Sequence, residues 1–195
     1  MIKLIRQNSH DNDVATFYDG YRQSYYKTTF TKHGAKLIKN ELNGINFFNN
    51  LNLDNEILYK LITKKDYKRL EIKKVKGLIV DYRKSFYENS NYFQKVINFY
   101  LKHWPDNKKQ CCHGDLTLDN VLFNRNKLII FDWEHYNISN KIFYGYDLIY
   151  LVLSGIILPG ENNFDQSSKK AFCKLYKKLI SSKIKNKYLK NPYEN

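Results

Sequence analysis

Residues 111–134 read CCHGDLTLDNVLFNRNKLIIFDWE and carry a spaced set of oxygen donors: Asp115, Asn120 five positions on, and Asp132 twelve beyond that. Between Asn120 and Asp132 the pattern runs apolar (Val121–Leu122–Phe123), polar (Asn124–Arg125–Asn126), then mainly apolar (Lys127 to Phe131). That alternation predicts an antiparallel hairpin, whose paired residues stand about 5 Å apart, so Asn120 and Asp132 would be neighbours at its open end. One oxygen from each is what a hard cation such as Mg2+ takes when phosphates and water complete its shell. Asp115, on the loop just ahead, would face the same place without being a ligand. A carboxylate so positioned can take the proton of a hydroxyl group.

These residues need a scaffold, and the rest of the chain reads as one. Residues 2–6 are a short apolar-rich segment, NSHDND at 8–13 is turn-like, and VATFY at 14–18 reads as a strand. Asp19–Gly20 suits a two-residue hairpin turn, and the Tyr- and Thr-rich stretch 21–30 is the return strand of a three-stranded meander. From Gly34 to Asn50 the period becomes helical: Leu37, Ile38, Leu42, Ile45 and Phe48 share an arc of about 140°, with Lys and Asn opposite. Glu41 falls inside the apolar arc, which is costly unless a cation meets it. Residues 56–63 and 69–76 predict a further strand pair, and Val75–Lys76–Gly77 a boundary. Helical spacing covers 78–104, the apolar run 148–158 reads as a buried helix, and 167–182 as a basic amphipathic helix. The fold class is therefore α+β, with a sheet-rich part over 1–76 and a mostly helical part over 77–195.

The string H-G-D-L-T-L-D-N over 113–120, followed by the hairpin and by D-W-E at 132–134, resembles the aminoglycoside phosphotransferase and choline kinase-like family. The resemblance extends more weakly to Tyr146–Asp147–Leu148. It implies a protein-kinase-like two-lobe fold, with a small antiparallel-sheet N-lobe carrying one helix and a mainly helical C-lobe. It also implies ATP and Mg2+ as cofactors, Asn120 and Asp132 as metal ligands and Asp115 as the catalytic base. Such folds use a strand lysine held by a helix glutamate, and Lys27 and Glu41 match those roles. The loop 8–13, with Ser9 as a donor, would cover the nucleotide phosphates, although it lacks the glycines of protein kinases. His113 is expected to brace the loop through backbone, and Asp147 to cap the following helix and brace the loop. Glu134 is left between a supporting role and direct help near the metal. The implied activity is ATP-dependent phosphoryl transfer to a hydroxyl of a small molecule, a sugar or glycan-linked group. The alternative is a catalytically silent kinase-like module binding nucleotide or an anionic partner. Residues 135–146 are too short for the activation segment of a protein kinase.

Composition narrows the classes. Of 195 residues 43% are hydrophobic and 16% aromatic, enough to bury a core. The net charge of +14 comes from lysines spread along the chain rather than from a local patch, so no nucleic-acid partner is expected. Few carboxylates follow residue 134, which disfavours a polycationic acceptor. Cys111, Cys112 and Cys173 make neither a disulfide framework nor a zinc site, no signal peptide is evident, and the longest apolar run is about half a membrane span. A cytoplasmic location follows. The expected partners are a nucleotide and a small-molecule acceptor, with peripheral membrane contact through the basic C-terminal helix.

Overall fold

A computed structural model of the chain describes residues 1–7, 13–51, 57–106, 110–124, 127–139, 141–160 and 164–181, with backbone alone at 6, 7, 178, 180 and 181. Two compact units result: Met1–Gly77 with Asp132–Tyr136, and Leu78–Phe131 with the residues from Asn137 onward.

The first unit is built on a five-stranded antiparallel sheet. Its strands are β1 (Ile2–Gln7), β2 (Ala15–Asp19) and β3 (Ser24–Thr29), followed by helix α1 (Lys32–Asn49), then β4 (Tyr59–Thr63) and β5 (Lys68–Lys73). The order across the sheet is β1-β2-β3-β5-β4, so β3 is central and Lys27 on it is flanked by Thr16 and Leu70. The expected meander is present, but its turn is not the two-residue type. Asp19 pairs with Ser24, leaving a four-residue loop. The Asp19 Oδ1 accepts from the amides of Tyr21 and Arg22 at 2.9 and 3.2 Å, and the left-handed residue is Gln23, not Gly20. An aspartate that caps two following amides builds an Asx-type turn, which competes with the Asp-Gly hairpin.

Helix α1 starts at Thr31, whose hydroxyl oxygen accepts from the Gly34 amide at 2.9 Å. The Asp13 carboxylate in turn accepts from the Thr31 hydroxyl and meets His33 Nδ1 at 2.7 Å, which ties the start of the second strand to the helix. The helix packs on β3 and β5 and buries Ile38, Glu41, Ile45 and Phe48, the stripe that its period specifies. Gly44 also lies on this face.

The second unit contains β6 (Leu78–Ile79), α2 (Phe86–His103), β7 (Gln110–Cys112), β8 (Val121–Asn124), β9 (Lys127–Ile130), β10 (Asn137–Ser139), α3 (Tyr146–Ile157) and α4 (Gln166–Ser181). The helical expectation over 78–104 is corrected at its start: Leu78 and Ile79 pair with Phe123 and Leu122. The helix begins only at Phe86, where Ser85 and Glu88 form a capping box that fixes the first turn. The hairpin β8–β9 is present as expected, with Val121 opposite Ile130 and Asn124 opposite Lys127. Asn120 accepts from the Phe131 amide through its carbonyl at 3.1 Å, so its partner is Phe131, one residue ahead of Asp132. Strand β7 pairs with β10, a pairing that no local pattern signalled.

Helix α4 turns Ser168, Leu175 and Leu179 inward and packs on α2, where Phe172 meets Phe86 edge to face at 5.8 Å. Leu175, Leu179 and Phe172 of its apolar stripe are thus spent on its own unit, and the expected membrane contact through this helix has no support. Among the described residues no helix is long and apolar enough to cross a membrane.

Candidate active site

In the first unit, Lys27 projects from β3 into a cluster of three carboxylates. Its Nζ lies 3.0 Å from Glu41 Oε2, 2.5 Å from Asp132 Oδ1 and 3.0 Å from Glu134 Oε1. Lys27 and Glu41 are 8% and 1% exposed. The inward carboxylate of the helix wheel and the strand lysine therefore satisfy one another. Burial works to lower the Lys27 pKa, but Glu41, Asp132 and Glu134 together outweigh it and hold the ammonium well above its usual range. One lysine cannot offset three anions. The deepest, Glu41, carries the consequence: burial pushes it up to about 7 despite the opposing pull of Lys27, with Asp132 and Glu134 adding to the rise.

The D-W-E stretch reaches this cluster through backbone and packing. Asp132 adopts a left-handed conformation with φ 65°, uncommon for a residue with a side chain and costing about 1 kcal/mol or more. Trp133 is fully buried, with its ring 6.0 Å from those of Phe47 and Phe48 and 5.9 Å from that of Tyr136. It lies directly over Gly44, where a Cβ would stand only 2.4 Å from the Trp133 Cβ and 2.6 Å from its Cγ. The absence of a side chain at Gly44 is what lets the indole settle. Asn40 adds a clamp, donating from Nδ2 to the Glu134 carbonyl at 3.0 Å. Asp132 and Glu134 are consequently held on both sides of one wedged ring.

In the second unit, the loop after β7 is braced as expected. The His113 Nε2 meets the Phe131 carbonyl at 2.9 Å, while Nδ1 accepts from the Asp115 amide at 3.3 Å. That arrangement selects the neutral tautomer with its proton on Nε2. Asp147 accepts from the amides of His113 and Gly114 at 2.9 and 3.0 Å. Gly114 has φ 86°, a conformation that a β-carbon would strain. Asp147 does brace the loop but does not cap α3, whose N-cap is Gly145 with no side-chain bond. Being fully buried, its carboxyl rises to about 6, chiefly through desolvation that its two amide bonds only partly oppose.

Asp115 sits at the surface end of this loop. A single 3-10 turn, Leu118–Asn120, brings Asn120 back onto it: Asn120 Nδ2 donates to the Asp115 carbonyl at 2.8 Å and to its Oδ2 at 3.2 Å. With its nitrogen committed to Asp115, the amide oxygen is the atom Asn120 can offer a cation. Tyr150 of α3, which no sequence signal marked, donates its hydroxyl to Asp115 Oδ1 at 2.9 Å. The phenol is pushed up to about 12 by burial first and then by the Asp115 carboxylate it donates to.

Lys27, Glu41 and Asp132 are thus brought together within the first unit, with Glu134 as an unforeseen third partner of the lysine. Asp115 and Asn120 are brought together within the second. Ser9, and the loop to which it belongs as far as residue 12, lie outside the described residues. The donors suit Mg2+: Asp132 offers a carboxylate oxygen and Asn120 an amide oxygen, the ligand type a hard cation prefers, and Asp132 belongs to a carboxylate group with Glu41 and Glu134, within 4.8 Å of one another, whose charge one ammonium only partly offsets.

The profile of the phosphotransferase enzyme family matches residues 69–178, more than half of the chain. The chain belongs to this family. Solved structures with the same fold include the GDP complex of an aminoglycoside 2'-phosphotransferase, 14% identical with TM-score 0.51 over 88% of this chain and 80% of that one. A streptomycin–ATP ternary complex of APH(2'')-IIa is 13% identical, with TM-score 0.50 over 92% and 78%. The choline kinase LicA from Streptococcus pneumoniae is 14% identical, with TM-score 0.50 over 90% and 74%. At these identities the likeness establishes the fold of this phosphotransferase, which is kinase-like and α+β. None of the curated proteins compared matches the sequence.

Proposed function

We propose that the chain transfers the γ-phosphoryl group of ATP to a hydroxyl group of a small molecule, a sugar or a glycan-linked group. The observation that carries this reading is the Lys27 cluster. Three stretches far apart in the sequence supply the lysine, the helix glutamate and the aspartate of D-W-E, all within 3.0 Å of one ammonium. Nucleotide binding is assigned to residues 1–76, and catalysis and acceptor binding to 77–195.

In this reading Lys27, held by Glu41, donates to phosphate oxygens of ATP and offsets their charge. Asn120 and Asp132 are the residues that would each offer an oxygen to Mg2+, and the chemistry the ion would supply is screening of phosphate charge. Asp115 accepts the proton of the acceptor hydroxyl while the new oxygen–phosphorus bond forms and the bond from that phosphorus to the oxygen of ADP breaks. Asn120 fixes the Asp115 carboxylate, and His113 and Asp147 hold the loop that carries it. Protein groups here position and stabilise charge rather than react covalently, so loss of one should be severe. The acceptor is neutral or anionic, in keeping with a net charge of +14. A cytoplasmic location fits its ATP supply and three free cysteines.

The test is transfer of labelled phosphate from ATP across a panel of sugars and amino alcohols, with Asp115→Asn as control. Turnover by the wild type that falls at least a hundredfold in Asp115→Asn supports the reading. ATP binding without turnover on any acceptor would instead identify a silent nucleotide-binding module.

A further inference from the structure

Helix α3 is apolar on both of its faces. Leu148, Leu151, Val152, Ser154 and Gly155 are buried, while Tyr146, Tyr150, Leu153 and Ile157, at spacings of four, three and four, stay 38%, 38%, 45% and 72% exposed. A helix hydrophobic all round is normally enclosed, and an apolar face left in solvent marks a place where something binds. Two further contacts say what it is. Phe143 meets Tyr146 edge to face at 5.9 Å, so aromatic surface continues past the start of the helix. Within this face, Tyr150 makes a hydrogen bond of 2.9 Å to Asp115 Oδ1. The aromatic surface thus runs up to the carboxylate that, in the reading above, receives the acceptor hydroxyl.

We infer that Tyr150 is a positioning residue for Asp115, and that its ring, with those of Tyr146 and Phe143, forms the surface on which an uncharged hydroxylated ring of the acceptor lies. The inference rests on the kinase reading, narrows its acceptor to an uncharged ring and names the residues that select it. With Asn120 Nδ2 on Oδ2 and the Tyr150 hydroxyl on Oδ1, the Asp115 carboxylate is fixed in rotation by a donor on each oxygen. A hydroxyl arriving over Tyr150 meets a carboxylate already aimed. The only charged side chain of α3, Asp147, is fully buried beneath the loop, so the helix presents its acceptor with ring faces and no counter-charge. Ring faces suit the C–H face of a neutral sugar. A quaternary ammonium group would also lie well on them, and the experiment separates the two.

Wild type, Tyr150→Phe, Tyr150→Ala and Tyr146→Ala are compared in steady-state phosphate transfer from Mg·ATP to methyl glycosides of neutral hexoses and to choline. ATP affinity is measured directly in each, and ATP hydrolysis with water in place of the acceptor is followed alongside. Glycosides should be phosphorylated in preference to choline. Tyr150→Phe, which keeps the ring, should lower kcat about tenfold, the worth of one hydrogen bond to a charged group, with glycoside KM within twofold. Tyr146→Ala should raise glycoside KM about fivefold with little change in kcat, and Tyr150→Ala should show both effects. ATP affinity should not change. A Tyr150→Phe enzyme whose transfer and hydrolysis both stay within twofold of wild type overturns the positioning role, and an unchanged KM in Tyr146→Ala overturns the surface. Preference for choline, or refusal of every glycoside, overturns the acceptor class. A wild type that neither binds nor hydrolyses Mg·ATP removes the kinase reading and this inference with it, a result distinct from normal ATP binding with an indifferent Tyr150.

Discussion

Gly44→Ala offers a sharp test of how α1 holds the D-W-E stretch. Ordinarily this change stabilises a helix by about 1 kcal/mol. Here the new methyl would stand 2.4 to 2.7 Å from Cβ, Cγ and Cδ2 of Trp133, whereas carbon atoms rest at about 3.5 Å or more, so the indole must retreat by about 1 Å. It has little room to do so, being fully buried with Phe47, Phe48 and Tyr136 around it. Overpacking of this kind costs about 1–3 kcal/mol. The clash here is at the upper end of that range, so the net effect is a loss of about 2 kcal/mol, lowering Tm by roughly 4–8 °C. The functional loss should be larger. Asp132 and Glu134 flank the displaced ring, and a shift of about 1 Å at a positioned group costs on the order of a hundredfold in rate. Thermal melting and kcat/KM for the best acceptor measure both. A variant with a higher Tm and full activity would refute the reasoning, since it would show that Trp133 yields freely.

Two further outcomes follow from the buried charges. Lys27→Met leaves Glu41, Asp132 and Glu134 clustered without their shared cation, which should cost about 3–5 kcal/mol at pH 8. The loss should shrink at pH 5 as carboxylates protonate, and denaturant midpoints at the two pH values measure it; equal losses would refute it. Burial raises the Asp147 carboxyl to about 6 in the folded protein, from an ordinary value of 3.8. Its folded pKa lies above its unfolded one, so its contribution is fully present below about pH 4 and declines as pH rises to 6. The difference of about 2 units corresponds to about 3 kcal/mol. Asp147→Asn, which cannot titrate, should flatten the stability curve between pH 4 and 6, and an unaltered slope would contradict the assignment.

Much of the scaffold was legible because its signals are local. The period of α1, the hairpin β8–β9 and the Asp115–Asn120 spacing each depend on a few consecutive residues, and backbone geometry converts such spacing directly into neighbours. Even the inward Glu41 could be read, since an anion on an apolar face announces a missing cation. The turn after Asp19 was misread because a side-chain cap competed with the local dipeptide preference. Leu78–Ile79 was misread because a two-residue strand has no period of its own.

The sequence by itself determined which residues are candidates for the chemistry and, for Lys27 and Glu41, on which kind of element each one rides. Only the tertiary structure decided which of them meet. The joining of Glu134 to Lys27 depends on a left-handed Asp132 and on an indole wedged over Gly44. The reach of Tyr150 to Asp115, 35 residues away, depends on how α3 packs in its unit. The physical reason is that periodicity fixes the direction of a side chain relative to its own helix or strand. The partner it finds is set by the packing of elements whose contacts leave no periodic trace in the chain.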